Sequence, residues 1–430
     1  MVARRTQQRI VGALFVSQGL FTAGLIVSFT LSSIIAADLS GSDGAAGLPT
    51  TLTLAGRAAV AYPLGWFMDR LGRRLGLSLG YVLGIVGAIL SVAAIVEGSF
   101  WGFLAGAVLL GMMRGTAEQG RYVAAEVVAP PRRARIIGII VFAGTIGAVG
   151  GPLLVDPSGK WATSWGLPLS AGPYALTAVF MLLAVVIVFL LLRPDPLHVG
   201  RALEAEAAQP ETPGAPPSPD TEPDGSLVAI LSRPDVQIGV LAMAIGQLVM
   251  TMLMVITPLY MDHQEHSARL ISWVIMAHTL GMFGLSGVTG WIVDRLGRLP
   301  TVAGGTLLLI VAAVVTPIAT GVPVLALALF LLGLGWNFCF VAGSSLVADA
   351  VTAGERGRAQ GASETIIAIA SGGGSLGSGL LFQQSGMTLP SLAGLLLSLG
   401  LLAAIVVAAW SRRGLAAGVG QSAVDYLSGE

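Results

Sequence analysis

Twelve long apolar runs constrain the fold of this sequence more than any other feature. They lie at about 9–37, 47–68, 75–97, 99–128, 135–156, 171–193, 235–260, 268–293, 300–319, 322–349, 359–382 and 388–411. Each approaches or exceeds the ~20 residues that a helix needs to cross a bilayer. Of all residues, 54% are hydrophobic and only 11% are charged, which excludes a water-soluble globular protein of this length. We therefore predict an all-α integral membrane protein with twelve transmembrane helices, because backbone groups in lipid must be paired within their own segment.

A segment of different composition divides the chain. Between the sixth and seventh runs the sequence reads "RPDPLHVGRALEAEAAQPETPGAPPSPDTEPDGS". A stretch so rich in Pro, Ala and acidic residues cannot bury a core, and it predicts a disordered linker. The expected domains are an N-terminal six-helix bundle at 1–193, a cytoplasmic linker at 194–233 and a C-terminal six-helix bundle at 234–430.

The placement of the basic residues predicts the orientation. Most of the 23 Lys and Arg residues fall in loops on one side of a twelve-span arrangement, which we call the arginine-rich side. The opposite, arginine-poor side carries only Lys160 and Arg269. Because positive loops stay in the cytoplasm, both termini and the linker are expected there. The strong preference for Arg over Lys, together with the family resemblance given below, favours a bacterial inner membrane.

An internal repeat marks the arginine-rich side. "GWFMDRLGRR" from Gly65 and "GWIVDRLGRL" from Gly290 both follow the second run of their half. A second pair, "AEVVAPPRRARIIG" from Ala125 and "ADAVTAGERGRAQG" from Ala348, follows the fourth run. Two parallel six-helix repeats are typical of transporters whose site lies between the repeats.

The first loop motif resembles the signature of the major facilitator superfamily, which implies that fold and a gating role for the loops. In this reading Asp69 pairs with an Arg or a helix N-terminus across the two halves and holds the cytoplasmic gate shut. The gating residues implied by the two repeats are Asp69, Arg70, Arg73, Asp294, Arg295, Glu126, Asp349 and Arg358.

Ionisable residues inside the fourth and second runs form a second candidate group. Arg114, Glu118 and Arg121 stand at i, i+4 and i+7, and Arg57 lies in the middle of the second run. Because such residues are costly in a membrane unless they are paired or wet, they indicate either a structural ion-pair network or a proton-coupling or substrate-handling site. The stretch "GTIGAVGGPLLV" from Gly144 partly matches a motif of proton-coupled drug antiporters, and its small residues also suit helix packing.

Methionine and histidine side chains are concentrated in residues 248–282, "LVMTMLMVITPLYMDHQEHSARLISWVIMAHTLGM". Met250 and Met254 stand at i, i+4, as do His278 and Met282, so each pair shares one helix face. Thioether and imidazole ligands without thiolate or carboxylate favour Cu(I), although Met is also a common packing residue. The turn between the two runs adds three residues that suit an external collecting mouth for the metal: Met261, His263 and His266.

The MxxxM and HxxxM patterns in the seventh and eighth runs resemble those of the CcoA-type copper importers. The resemblance implies that Met250, Met254, His278 and Met282 bind copper as the transported substrate, and that alternating access carries it inward. We expect no enzyme activity and no cofactor. The expected partners are the copper ion, the lipid bilayer and copper chaperones, with no nucleic acid, and the chain is expected to be a monomer. Two alternatives stay open: a proton-coupled exporter of organic compounds and an importer of an organic nutrient such as riboflavin.

Overall fold

The computed structural model describes residues 4–128, 133–207, 226–351 and 356–428. Throughout these ranges the regular structure is helical and no strand occurs, which confirms the predicted all-α class. The helices are α1 Arg4–Thr30, α2 Ser32–Ser40, α3 Leu48–Leu71, α4 Arg73–Glu97, α5 Phe100–Ala117, α6 Gly120–Glu126, α7 Arg133–Gly150, α8 Val155–Ser164, α9 Gly172–Leu191, α10 Pro196–Ala207, α11 Leu227–Leu231, α12 Pro234–Asp262, α13 Ala268–Phe283, α14 Ser286–Leu296, α15 Arg298–Val315, α16 Val322–Asp349, α17 Arg356–Ser385 and α18 Thr388–Ser428.

Within the described ranges, 11 helical stretches are long and apolar enough to cross a membrane. They correspond to all of the predicted runs except the second. That run forms α3, a helix of 24 residues, whose apolar sequence is interrupted by Arg57, by several threonines and by Pro63. The second run is therefore helical over a length that could cross a membrane, although it is less apolar than the other runs.

Small residues set the packing of the first half. Helix α4 packs on α5 and α9, α1 packs on α7 and α9, and α3 packs on α5. A Cβ at Gly111 of α5 would overlap the carbonyl oxygen of Thr53 on α3, so glycine permits the close approach of these two helices. Gly147 of α7 lies in the same way against the backbone of Gly19 on α1. The glycine motif that begins at Gly144 therefore serves helix packing here.

The second half has a packed core of its own near its arginine-rich loops. Helix α15 packs on α16 and α18, and α14 packs on α16. A cluster of buried apolar side chains joins α11, α12, α16 and α17: Ile230, Val236, Val240, Met243, Val347, Val351, Ala359 and Ile367.

The prediction of a linker without structure is wrong at both ends of the segment. Residues 196–207 form α10 and residues 227–231 form α11. Two buried side chains explain why these ends are helical. Val199 of α10 exposes 2% of its surface, and Ile230 of α11 is fully buried in the core of the second half. Composition predicted the polar middle of the linker but not these two apolar anchors. Residues 208–225 lie outside the described ranges.

The helices group into two compact units that do not follow the chain order. One unit contains residues 1–219, 254–279 and 375–387, and the other contains residues 220–253, 280–374 and 388–430. One end of α12, most of α13 and one end of α17 thus pack with the first half of the chain. The division at 1–193, 194–233 and 234–430 stays a prediction.

Candidate functional site

One face of α12 combines sulfur and polar side chains. Gln247, Met250, Thr251 and Met254 are spaced by three or four residues, so they lie on the same side of the helix. Met250 and Met254 expose only 7% and 6% of their surface. Because lipid-facing side chains remain exposed in a protein without its membrane, this burial shows that both thioethers point into the protein.

The predicted eighth span is not one continuous helix. Helix α13 ends at Phe283 and α14 begins at Ser286, directly after the HxxxM pair. Asn337 of α16 fills the break: its Nδ2 donates to the carbonyl oxygen of Met282 at 2.7 Å and to Ser286 Oγ at 2.9 Å. Thr289 Oγ1 donates to Asn337 Oδ1 at 2.5 Å. Interrupted helices in transporters commonly lie at substrate sites, where nearby side chains satisfy the freed backbone groups.

The soft donors of α13 also point inward. His278 exposes 1% of its surface, and Met282 is half-buried. In the described part of the chain, no group of three or more His, Cys, Asp or Glu side chains is arranged to hold a metal ion. A metal bound among these residues would therefore need thioether ligands, which select soft ions such as Cu(I).

The three residues of the predicted collecting mouth have different surroundings. Met261 is fully buried, whereas His263 is exposed and His266 is half-buried. The Nε2 of His263 lies 3.4 Å from Asp43 Oδ1, and its ring lies 5.7 Å from that of Phe382. Met261 therefore does not share a surface position with His263, and a role of this turn in collecting metal stays a prediction.

A polar cluster with aromatic walls joins α12, α16 and α17. Gln247 Nε2 donates to Thr251 Oγ1 at 3.1 Å and to Ser371 Oγ at 3.2 Å. Its Oε1 accepts from Trp336 Nε1 at 2.8 Å. The Trp336 ring stacks on Phe340 with a centroid distance of 5.0 Å and an interplanar angle of 20°. This cluster can present both a flat apolar surface and hydrogen-bonding groups, on the same α12 face as the methionines.

The charged residues of the first half form a compact ion-pair group. Glu118 lies 2.8 Å from Arg57 Nη2 and 3.0 Å from Arg114 Nε. Helix α5 ends at Ala117 and α6 begins at Gly120, so the predicted fourth span is interrupted at the acid. Arg121 instead lies over the ring of Tyr122 at 4.9 Å. Two guanidinium groups on one carboxylate support the structural interpretation of these residues.

The arginine-rich loops repeat the same ion pair in both halves. Arg73 forms a bidentate pair with Glu126, with Nε–Oε2 at 3.0 Å and Nη2–Oε1 at 2.9 Å. Arg298 Nη2 lies 2.8 Å from Asp349 Oδ2. Each pair joins the loop after the second span to the end of the fourth span within one half. Repeated motifs have therefore produced repeated geometry.

Other predicted gating residues lie at exposed positions or over an aromatic ring. Arg70 and Asp294 are exposed, and Arg295 lies over the Trp291 ring at 4.8 Å. The side chains of Asp69 and Arg358 lie outside the described part of the structure, so a latch across the two halves stays a prediction.

The arginine-poor side has an ion-pair group centred on one acid. Asp156 Oδ2 accepts from Lys160 Nζ at 2.9 Å and from Arg269 Nη2 at 3.1 Å. These are the two basic residues that the sequence placed on this side. A separate group on this side surrounds Asp38: burial raises the pKa of Asp38, the Asp262 and Asp43 carboxylates raise it further, and His263 lowers it.

Comparison with known proteins decides the family. The model of the Major Facilitator Superfamily matches residues 13–267 and 239–422. This chain belongs to the Major Facilitator Superfamily. It is 35% identical over 410 residues to the MFS-type transporter YdeG of Bacillus subtilis, covering 94% of this chain and 92% of that protein. It is also 28% identical over 362 residues to the riboflavin transporter RfnT of Brucella anthropi, covering 84% and 85% of the two chains.

Solved structures of other transporters share this fold. A bacterial homolog of the human lysosomal transporter Spinster, inward-facing and occupied, matches with a TM-score of 0.73 at 15% identity, over 95% of this chain and 97% of that one. The human organic anion transporter MFSD10 matches with a TM-score of 0.62 at 18% identity, over 93% and 99%. At such low identity these likenesses establish the superfamily fold alone.

Three structurally important residues of this superfamily transporter were missed from sequence. Arg298 occupies the repeat position of Arg73, so aligning the two loops would have found it. Gln247 and Asn337 lacked such a guide, although a polar amide inside an apolar span is costly unless it is bonded. That rule alone would have marked both positions for attention.

Proposed function

We propose that this transporter imports copper, as Cu(I), across a bacterial inner membrane by alternating access. The arginine-rich loops and both termini lie in the cytoplasm in this proposal. The observation that supports it best is the burial of the soft donors: Met250, Met254 and His278 expose 7%, 6% and 1% of their surface. These donors lie on α12 and α13. Helix α12 also carries the polar cluster around Gln247, and α13 ends at the break that Asn337 fills. Both features are typical of a surface that faces protein or water rather than lipid.

The donor chemistry fits a transported ion better than a permanently bound one. Thioethers are neutral, soft ligands that accept Cu(I) and discriminate against Mg²⁺ and Ca²⁺. A thiolate cage would hold the metal too tightly for release, and the one cysteine, Cys339, is buried beside Thr306. Successive thioether contacts along α12 would allow the ion to be passed on.

The chain offers a matched control for this proposal. Met252 lies on α12 between the two candidate ligands and is as buried as Met250, at 7%. It points to a different side of the helix, because two residues rotate the side chain by about 200°. Met250→Leu, Met254→Leu and Met252→Leu each replace thioether by hydrocarbon of similar volume, and such exchanges usually cost less than ~1.5 kcal/mol in stability.

Copper uptake into proteoliposomes should be measured under reducing conditions and normalised to monodisperse protein. We expect Met250→Leu and Met254→Leu to reduce uptake at low copper concentration by about tenfold, the effect of losing ~1.4 kcal/mol of binding free energy. Met252→Leu should transport like the parent. Equal uptake by all three variants, or equal loss in all three, would mean that the methionines only pack the core.

A second candidate function is import of an organic nutrient with a flat, hydrogen-bonding ring system, such as riboflavin. It is favoured by the relative named as a riboflavin transporter and by the stacked Trp336 and Phe340 rings beside Gln247. Aromatic faces and a few placed polar groups are what such a ring requires.

Riboflavin uptake by the same proteoliposomes distinguishes the two candidates. Trp336→Leu should lower riboflavin uptake if the ring binds there. Phe338→Leu is the matched control, because Phe338 lies on the same helix but contacts Gly305 of α15. Riboflavin uptake that is sensitive to Trp336→Leu and unaffected by Met250→Leu would replace the copper proposal by the nutrient proposal.

A further inference from the structure

Glycines of two segments lie in close contact on the arginine-poor side. The turn at 43–47 lies against α17, where Ser375 Oγ donates to the carbonyl oxygen of Gly47 at 2.7 Å. One turn of α17 further on, Gly379 lies against the backbone of Gly44. We call Gly44, Gly47, Ser375 and Gly379 the glycine contact; it lies within the first of the two compact units.

The glycine contact is close, and its own residues bury little side-chain area. A Cβ at Gly47 would overlap the carbonyl oxygen of Ser375, and a Cβ at Gly379 would lie 2.6 Å from the carbonyl oxygen of Gly44. Small residues provide almost no apolar side-chain area to bury, so the hydrophobic effect contributes little here. The polar contacts described at these surfaces include the Ser375 hydroxyl bond and, beside it, the partly exposed pair of Asp43 and His263 at 3.4 Å, and the Gln383 side chain lies against Gly44.

We propose that the glycine contact is a gate, which opens and closes in each transport cycle and closes fully only because Gly47 and Gly379 lack side chains. A surface that must separate repeatedly should be complementary in shape yet cheap to part. Backbone packed closely on backbone, with little apolar side-chain area buried, meets both requirements. The proposal holds for any transported substrate, so it does not depend on copper.

Alanine substitution separates this role from helix stability. Gly379 lies inside α17, where Ala favours the helix by up to ~1 kcal/mol relative to Gly. Gly47 has a φ of −83°, which Ala adopts without strain. Gly379→Ala and Gly47→Ala should therefore leave their local structure intact while keeping the two surfaces apart. Gly377→Ala is the control on the same helix, because nothing lies within 4 Å of a Cβ there.

The gate can be followed without knowledge of the substrate. Ser378 of α17 is fully buried, so a Ser378→Cys reporter should react slowly with a membrane-impermeant maleimide added to the arginine-poor side of sealed vesicles. The buried Cys339 supplies the background, measured in the chain without the reporter. Labelling rate, thermal stability and uptake are compared for the reporter alone and for the reporter with each alanine.

We expect Gly379→Ala and Gly47→Ala to raise the labelling rate at least about fivefold, a shift in population that costs about 1 kcal/mol, and to reduce uptake. Gly377→Ala should match the reporter alone. The proposal is overturned if Gly379→Ala labels and transports like Gly377→Ala. It is also overturned if both contact variants lose their folded state, because a gate that opens in every cycle cannot be required for folding.

Discussion

Replacing Asn337 should test whether the break between α13 and α14 is held by this one side chain. Asn337 is buried, with 3% of its surface exposed, and it makes three hydrogen bonds at 2.5 to 2.9 Å. Asn337→Leu keeps a similar volume but removes all three. Hydrogen bonds between helices in membrane proteins average ~0.6 kcal/mol each, so we expect a loss of about 2 kcal/mol in the free energy of unfolding.

This loss in the free energy of unfolding is a lower bound, because one of the three bonds satisfies a backbone carbonyl at the helix break. The carbonyl of Met282 lies in the last turn of α13, where the interrupted helix supplies no regular partner. Leaving a buried acceptor unpaired costs ~1–3 kcal/mol. Thr306→Val is a suitable control: the Thr306 hydroxyl donates to the carbonyl of Val302 in its own helix at 2.8 Å, and its contact with Cys339 Sγ of α16, at 3.9 Å, is at the limit for a hydrogen bond to sulfur, so its loss should disturb the helix packing little.

Unfolding in mixed micelles with increasing SDS, followed by tryptophan fluorescence, gives the comparison. We expect Asn337→Leu to unfold at clearly lower SDS than the parent, and Thr306→Val to remain close to the parent. Asn337→Asp, which keeps the acceptor for Thr289 but loses both donors, should fall between them. An Asn337→Leu protein as stable as Thr306→Val would refute the reasoning and leave the break to backbone preference alone.

Three further outcomes follow from the charged groups. Arg298→Gln should destabilise the second half and should be partly compensated when Asp349→Asn is added, as a double-mutant cycle of unfolding midpoints would show. Glu118→Gln should lower thermal stability at every pH between 5 and 8, because it leaves two guanidinium groups without their carboxylate; a change confined to the pH dependence of transport would favour a proton-coupling role instead. Because the pKa of Asp38 is raised in the folded state, its contribution to the free energy of unfolding is present below the ordinary carboxyl range and is lost as pH rises through the raised value. Thermal stability should therefore fall with rising pH across that window, and Asp38→Asn should flatten the dependence.

Much of the fold follows from the apolar runs because membrane helices must satisfy their own backbone. The positions of α12, α15 and α16 could be predicted in this way, since no charged residue lies inside their apolar stretches. The breaks at Glu118 and at Gly284 could not, because both depend on partners from other helices. Arg57 reaches Glu118 from α3, and Asn337 reaches the α13 break from α16.

One feature of the candidate site could be predicted from sequence: side chains three or four residues apart lie on the same face of a helix. The spacing of Met250 and Met254 fixes their common face whatever surrounds them. Their burial does not follow from spacing, since a thioether serves equally well toward lipid and toward protein. The polar cluster around Gln247 was harder to foresee, because its partners Trp336 and Ser371 are 89 and 124 positions away in sequence.

The paired loops bear on where the gates of this transporter lie. Two ion pairs, Arg73–Glu126 and Arg298–Asp349, each connect two spans of the same half. Each half therefore has its own ion pair between spans on the arginine-rich side. Contacts of this kind can persist while the access pathway changes, because no bond within a half has to break. The glycine contact differs: it joins the turn after α2 to α17, which comes from the other half of the sequence. If alternating access separates the halves, the contacts that must break are of this second kind, and their weakness is then a requirement of transport.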